Sequence, residues 1–455
     1  MPGTAGVFSR PVTPDDSRRV SLLLGALFGL AGMGSSSAAI ALPLLGQDLG
    51  IGVGDATWTI SLYTLMLAVT TAVYGRVSDL VGVRIPLLVG IGLMTAGALM
   101  AAFAPSYGVL LVARLFQGAG AAAVPTLGVA IVSGRYDGEV RGIALGRLAG
   151  MAAAVSCLGP LVGGVVEHAF GWRAVMALPI LGVLVIPFLW RALTGEGSGA
   201  SLDILGAVLV AATAAGLVLL VQSPATGILI AAIGVLLIVL GVPAVTMRVR
   251  RKPHGFLPLS VIRNGTVVRS AVAAAAVPAA WFAQLIAVPA VLVGDGWEPW
   301  QVGLLLVPSA GLAIAMPKTA GALLARIGPA ASLAVAGVVA SLALVVAAVG
   351  TWQLLPIALV VAVALCTVSF GLGQPALMAS VGESVEADVR GVALGVATLL
   401  FLVGGSIGSA VIGGLGDVIG IPASLAVLAV LPILGLAALV PELRRMAPEL
   451  VADDV

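Results

Sequence analysis

Residues 150–164 read GMAAAVSCLGPLVGG, which places four glycines and a Gly-Pro pair inside an apolar run long enough to cross a bilayer. Glycine and proline are the residues that weaken a helix most. In lipid, however, the backbone N–H and C=O groups must form hydrogen bonds with one another, and a helix is the main structure that allows this. Helices rich in glycine can approach one another closely, and membrane helices associate largely through such contacts. The stretch therefore predicts a slender, bent transmembrane helix that packs against its neighbours.

The composition places the whole chain in a membrane. Of the 455 residues, 60% are hydrophobic and 9% are charged, against about 25% charged in an ordinary soluble domain. A soluble core has no room for so much apolar surface, whereas a bilayer takes about 20 apolar residues for each helical crossing. A soluble binding module is therefore excluded. The start of the chain is polar and lacks a signal-peptide pattern, so we expect it to stay in the cytoplasm.

Charge and turn clusters divide the chain into fourteen apolar runs, which predicts an all-α integral membrane protein with fourteen transmembrane helices. Cytoplasmic loops carry the excess of Lys and Arg. With an inner N-terminus, Arg173 alone of the 22 Lys and Arg residues falls in an outer loop, Arg114 and Lys318 fall within spans, and the rest lie inside. Both termini are therefore predicted to be cytoplasmic.

A repeat relates the two ends of the chain. VRGIALG at 140–146 recurs as VRGVALG at 389–395, and the same offset of 249 residues relates Gly159 to Gly408 and Gly164 to Gly413. Rocker-switch transporters consist of two six-helix halves in the same orientation, although a channel could also contain an internal repeat. The glycines then indicate either tight packing alone or a thin interface on which the halves rock.

The predicted organisation follows from the repeat and from the charge clusters. It comprises a cytoplasmic tail (1–19), an N-terminal six-helix bundle (20–193), a linker (194–202), two inserted helices (203–247), a basic cytoplasmic linker (248–269), a C-terminal six-helix bundle (270–440) and a cytoplasmic tail (441–455).

Several motifs resemble those of the major facilitator superfamily, and within it the 14-span drug:proton antiporters. They are the loop GRVSDLVGVR (75–84), similar to G-x-x-x-D-R-x-G-R-R; ARLFQGAGAAAVP (113–125), similar to the fourth-span R-x-x-Q-G-x-G pattern; SCLGPLVGG (156–164), similar to the fifth-span pattern of exporters; WR (172–173); and LPLSVIRNGTV (257–267). The resemblance covers nearly the whole chain. It departs from the family in span 1, where Gly34 of GSSSAAIALP (34–43) stands in place of an acidic residue.

The resemblance implies a set of gating residues. Asp79, with Arg84, Gly75 and Gly82, would control the inner face, because a carboxylate is stabilised near a helix N-terminus. Gly159, Pro160, Gly163 and Gly164 would form the contact about which the halves move, since proline bends the helix and glycine leaves it thin.

The charges indicate the class of substrate. Every Asp and Glu falls near an inner or outer boundary, so no carboxylate is predicted in mid-membrane to receive a cation. We therefore expect a neutral or acidic substrate. The candidate substrate-binding residues are Arg114, Gln117, Ser35, Ser36, Ser37, Trp281, Gln284, Lys318 and Gln374. Alternatives remain open: Arg114 could bond a helix end, Lys318 could extend to the interface, and the uncharged residues could bond neighbouring helices.

Proton coupling would need titratable groups, and the candidates are Asp79, Glu167, His168 and Asp417, although His168 could equally be an exposed surface residue. Lys252 and Lys318 stand in RRKPH and MPKTA, so no P-loop is present. We expect no enzymatic activity, no cofactor and no metal. An exporter of amphiphilic metabolites or antibiotics in the plasma membrane is favoured over a lipid transporter or an uncoupled nutrient transporter. The expected partners are small molecules, protons and membrane lipids, without nucleic acid, and the chain is expected to act as a monomer.

Overall fold

The computed structural model describes residues 14–136, 138–190, 193, 203–253, 255–386 and 390–452, and within these ranges the chain forms no strand. In chain order the helices are α1 Pro14–Leu49, α2 Val53–Ala56, α3 Trp58–Val81, α4 Arg84–Ala102, α5 Tyr107–Ala121, α6 Ala123–Arg135, α7 Gly138–Cys157, α8 Gly159–Ala177, a 3-10 helix Leu178–Val185, α9 Ile186–Leu189, α10 Ile204–Thr226, α11 Ile228–Arg251, α12 Leu259–Arg263, α13 Gly265–Gly294, α14 Pro299–Leu305, α15 Val307–Trp352, α16 Pro356–Glu383, α17 Arg390–Ile419, α18 Ile421–Leu428 and α19 Val430–Ala452.

The described residues contain 12 helical runs that are long and apolar enough to cross a membrane, against the fourteen predicted. Two of these runs are unusually long: Ile143–Leu189 has 47 residues and Pro299–Trp352 has 54. Each is broken by a glycine with positive φ and extended ψ, Gly171 (77°, 172°) and Gly328 (76°, 172°). Only glycine adopts such a conformation without strain, so the chain turns there without a separate loop.

The fifth predicted span (α7 and α8) and the thirteenth (α17) make equivalent contacts. Gly159 of α8 faces Ser36 of α1, so closely that a Cβ there would collide with the serine hydroxyl. Gly408, which is related to Gly159 by the sequence repeat, packs in the same way against the backbone of Ala279 in α13. Each glycine-bearing helix therefore lies directly against the first helix of its own half, which a larger side chain would prevent.

The two halves pack together at one end of the bundle, which holds residues 48–57, 294–300 and 413–420 and which we call the outer end after the predicted orientation. A Cβ on Gly164 would lie 2.5 Å from the Pro299 carbonyl oxygen, and one on Gly303 would lie 2.5 Å from that of Pro160. On the opposite side of the bundle, Gly413 packs against Thr57. Glycine thus allows backbone-to-backbone contact between the halves at the outer end.

Three glycines towards the opposite, inner ends of α7 and α17 have no close neighbours within the described part of the chain. A Cβ added at Gly146 or Gly150 of α7, or at Gly395 of α17, would meet no described atom of a neighbouring helix within 4 Å. Gly146 and Gly395 are related by the same repeat that relates Gly164 and Gly413. These three glycines therefore have looser surroundings than Gly164, Gly303 and Gly413 at the outer end.

The inserted helices α10 and α11 pack against each other, and α10 also contacts α17 and α3. At its inner end the buried carboxylate of Asp203 accepts hydrogen bonds from Arg248 Nε (3.0 Å) and from the backbone N–H groups of Gly206 and Phe256 (3.2 Å each). This cluster holds the basic linker against the inserted pair. Chiefly because of the Arg248 hydrogen bond, the pKa of Asp203 lies below its ordinary value.

We expect Asp203→Asn to destabilise the protein by about 1.5–3 kcal/mol at neutral pH, the usual contribution of a hydrogen bond to a charged group. A lowered folded-state pKa stabilises the protein above the unfolded pKa of about 3.9, and this contribution is lost as the pH falls through the folded value. Thermal unfolding between pH 7 and 3 should therefore show the gap to wild type closing in acid. The exposed Asp295→Asn is the control, and a gap of constant size would contradict the assignment.

Candidate functional site

A pocket lies between the two halves, near the middle of the bundle. Its enclosed volume is about 20 Å³, room for about one water molecule, and its wider space is open to the outside. A larger molecule would fit only when the two halves separate further. The lining comes from α7 and α8 of the N-terminal half and from α13, α15 and α16, with the residue preceding α15, of the C-terminal half: Cys157, Pro160, Trp281, Gln284, Leu285, Leu306, Ser309, Val363 and Cys366.

Gln284 is the most polar side chain of this lining. It is 2% exposed, and neither its Oε1 nor its Nε2 has a hydrogen-bond partner among the described residues. The neighbouring hydroxyl of Ser309 donates to the Leu306 carbonyl oxygen at 2.6 Å. A buried amide without partners is costly, and a bound water or ligand would reduce that cost by completing its hydrogen bonds.

An aromatic series leads from the pocket into the C-terminal half. The half-buried ring of Trp281 lies 5.8 Å from that of Phe370 in a tilted arrangement, and Phe370 lies 5.5 Å from Phe401 edge to face. Aromatic pairs at these distances are favourable and hold the rings in place. Trp281 therefore offers a fixed apolar surface to the pocket.

Arg114 does not line this pocket. It is completely buried in the N-terminal half, where its Nε donates to Thr59 O at 2.8 Å, and its Nη1 donates to Gly34 O at 2.9 Å and to Gln117 Oε1. Its guanidinium also lies 4.4 Å from the ring centroid of Tyr63. Gln117 in turn donates to Met176 O at 3.1 Å. In this conformation Arg114 joins α1, α3 and α5 into one framework.

The span-1 serines make helix contacts rather than reaching the pocket. Ser36 donates to Ser156 O at 3.0 Å, whereas Ser35 and Ser37 donate to Gly32 O and Met33 O of their own helix. Lys318 is exposed and Gln374 is half-buried, and neither lines the pocket. Of the predicted substrate-binding residues, the pocket brings together Trp281 and Gln284, alongside the predicted hinge residue Pro160.

The predicted gating residues of the loop at 75–84 are only partly described. Arg84 is exposed and its guanidinium lies 3.9 Å from the ring centroid of Trp190, while Gly82 ends α3 with a φ of 77°. Gly75 has ordinary contact, 3.5 Å, with Thr126. The side chain of Asp79 lies outside the described residues, so its role stays a prediction.

Three of the predicted proton-coupling residues lie at the outer contact between the halves. Asp417 Oδ2 accepts a hydrogen bond of 3.1 Å from the Gly54 backbone N–H across the interface. His168 Nδ1 lies 3.9 Å from Glu298 Oε2, also across the interface, and both side chains are more than half exposed. Glu167 is buried beside them. Under the sequence repeat, His168 and Asp417 are equivalent positions, and each faces the other half.

We expect Asp417→Ala to weaken outer closure by roughly two- to tenfold, because it removes one hydrogen bond between the halves worth about 0.5–1.5 kcal/mol. His168→Ala should change closure by less than about twofold, since exposed ion pairs contribute little. The measurement is the rate at which a membrane-impermeant maleimide, added from outside, labels the pocket cysteines. Equal effects of the two variants would contradict the prediction.

Sequence analysis missed several residues that the structure places at the site. Cys157 and Cys366 are isolated cysteines in apolar runs, and Ser309 is one small residue in a long apolar span. Gln222 of the inserted α10 donates to Thr57 Oγ1 at 2.9 Å, next to Gly413 at the outer contact. No local pattern marks these residues, because their positions depend on helices far apart in the sequence.

A multi-span helical bundle with a pocket between two halves is the architecture of a membrane transporter. The sequence profile of the Major Facilitator Superfamily matches residues 24–409, so this chain belongs to that superfamily and is a multi-pass protein of the plasma membrane. This agrees with the resemblance found in the sequence motifs.

Curated relatives include drug exporters. The chain is similar to the Tetracenomycin C resistance and export protein of Streptomyces glaucescens, at 26% identity over 90% of this chain and 78% of the relative. It is also similar to the Multidrug resistance protein Stp of Mycobacterium tuberculosis, at 27% identity over 82% of this chain and 71% of the relative.

Solved structures agree on the fold. A POT family transporter in complex with a thioalcohol-conjugated peptide matches with a TM-score of 0.69 over 94% of this chain and 96% of that chain. The identity is 13%, so this likeness shows the fold alone.

Proposed function

We propose that this transporter exports small amphiphilic compounds, neutral or acidic, by alternating access in exchange for protons. The observation that carries the proposal is the pocket between the halves, whose nine lining residues are all uncharged. A buried cationic substrate would need a carboxylate partner, which this lining does not supply. The similarity to a tetracenomycin C resistance and export protein and to a multidrug resistance protein supports the direction of transport.

The proposal includes fourteen crossings with both termini in the cytoplasm. The turns at Gly171 and Gly328 divide the two longest helical runs into pieces of about the length of one crossing each. If each of these two runs is counted as two spans, the total is fourteen spans, the number predicted from the sequence. The distribution of Lys and Arg supports the orientation.

In this topology we infer an inward-facing state. Tight glycine contacts close the outer end, whereas Gly146, Gly150 and Gly395 are uncovered at the inner end. Proton exchange would then act on the outer contact, where Glu167, His168 and Asp417 lie between the halves. Protonation of Asp417 from outside would weaken the hydrogen bond that it accepts from Gly54 and that helps to hold this end closed.

The function can be tested in proteoliposomes loaded with matched fluorescent compounds that are neutral, acidic or cationic. A pH gradient should drive movement of the neutral and acidic compounds, and collapsing the gradient with an ionophore should stop it. Transport restricted to cationic compounds would overturn the substrate class. Flux that does not depend on the pH gradient would overturn the proposed exchange for protons. Flux of fluorescent phospholipid alone would favour a lipid transporter.

A further inference from the structure

We propose that the pocket recognises an uncharged group that presents a hydrogen-bond donor and an acceptor side by side, such as a carboxamide or an imide, carried on a planar ring system. The inference rests on the proposed function, since it names the substrate class for the same pocket. Of the neutral or acidic substrates proposed above, it selects the neutral ones that carry a carboxamide-like or imide-like group.

The first argument is the unpaired amide of Gln284. Its oxygen accepts and its nitrogen donates at a fixed spacing, so its natural complement is a second amide-like group that pairs with both atoms at once. Both atoms are buried without a partner among the described residues. An apolar side chain of similar size would avoid the cost of this burial, so the amide lowers stability unless a bound molecule completes it.

The second argument is the charge of the surroundings. All nine lining residues are uncharged, and the fully buried Arg114 is engaged elsewhere by Thr59, Gly34 and Gln117. A buried carboxylate or ammonium group would lose its hydration without gaining a counter-charge. An amide or imide loses less, because Gln284 replaces the hydrogen bonds that it made to water.

The third argument is the shape and polarity of the walls. Trp281 presents a ring held in place by Phe370, and Leu285, Leu306 and Val363 supply aliphatic surface. A flat ring system would stack on this indole once the halves separate enough to admit it. Ser309, whose hydrogen is used by Leu306 O, keeps an oxygen that can accept the second N–H of a primary amide.

The chain provides its own reporter of occupancy. It contains two cysteines, Cys157 and Cys366, and both line the pocket, one from each half. A molecule seated against Gln284 and Trp281 would shield them from N-ethylmaleimide. Labelling of each thiol can be followed by mass spectrometry of the purified, full-length protein.

The test compares four probes with one ring system: naphthalene-2-carboxamide, 2-naphthoate, 2-naphthyltrimethylammonium and 2-methylnaphthalene. We expect the carboxamide to slow labelling at the lowest concentration and the two charged probes to give no protection. In Gln284→Leu, the carboxamide should lose about tenfold or more in potency, while methylnaphthalene keeps or gains potency. Without any probe, Gln284→Leu should melt at a higher temperature than wild type, which a purely structural role for the amide would not give.

Two further variants keep the test decisive. Gln284→Asn retains the amide on a shorter stem and should bind the carboxamide less tightly than wild type but better than Gln284→Leu. Gln353→Leu, at an exposed glutamine outside the lining, is the control and should behave as wild type. Stronger protection by a charged probe, or unchanged protection in Gln284→Leu, would overturn the proposal. Protection as expected with no probe transported in proteoliposomes would instead overturn the proposed function and leave the binding site standing.

Discussion

Gly164→Val should abolish transport by keeping the two halves apart at the outer end. A Cβ at this position would lie 2.5 Å from Pro299 O and 2.7 Å from Trp300 Cα, and both are backbone atoms of the other half. Overpacking of this kind costs about 1–3 kcal/mol. Because each 1.4 kcal/mol is a factor of ten, outer closure should be disfavoured by roughly 10- to 100-fold.

The measurement combines transport in proteoliposomes with labelling of Cys157 and Cys366 by an impermeant maleimide added from the outer side. Gly164→Val should lose transport and gain outside labelling, because the clash disappears once the halves separate. Gly92→Val is the control: it adds the same side chain at an exposed glycine of α4, where a Cβ meets no described neighbouring atom within 4 Å. If the two variants behave alike, Gly164 is not a closing contact.

Arg114→Ala should destabilise the N-terminal half strongly. The substitution leaves Thr59 O, Gly34 O and Gln117 Oε1 without their donor and opens a large cavity where a fully buried side chain stood. Large-to-small changes in a core and unpaired buried polar groups together cost about 3 kcal/mol or more. We therefore expect a clear fall in the melting temperature of the purified protein.

Arg114→Lys should recover part of the loss, since an ammonium group reaches fewer of the three acceptors. Arg250→Ala, which removes an exposed arginine from the inner end of α11, is the control and should leave the melting temperature unchanged. An Arg114→Ala protein that is as stable as wild type but has lost only the transport of acidic compounds would show instead that Arg114 contacts substrate directly.

Much of the architecture follows from the sequence because lipid restricts the choices. The 12 apolar runs of the described chain had to become helices, since backbone groups in a bilayer have few other partners. The motifs around Asp79, Arg114 and Gly159 also identified the superfamily. The boundaries of the halves and the number of crossings stay predictions, because Gly171 and Gly328 turn the chain within continuous runs.

The candidate site was less predictable. Arg114, a charged residue within an apolar span, looked like a cavity residue, yet its partners Thr59 and Gly34 lie 55 and 80 residues away. Gln284 was predicted as a polar residue in a span, but no sequence pattern indicates that both of its amide atoms lack partners among the described residues.

The sequence by itself determined that this protein is a helical membrane transporter, because composition and apolar run length depend only on residues close together in the chain. The tertiary structure alone decided which end is closed, which buried polar groups are satisfied and which residues share a pocket. Those properties depend on contacts between helices that are far apart in the sequence. A local sequence pattern does not indicate which distant helices will be in contact.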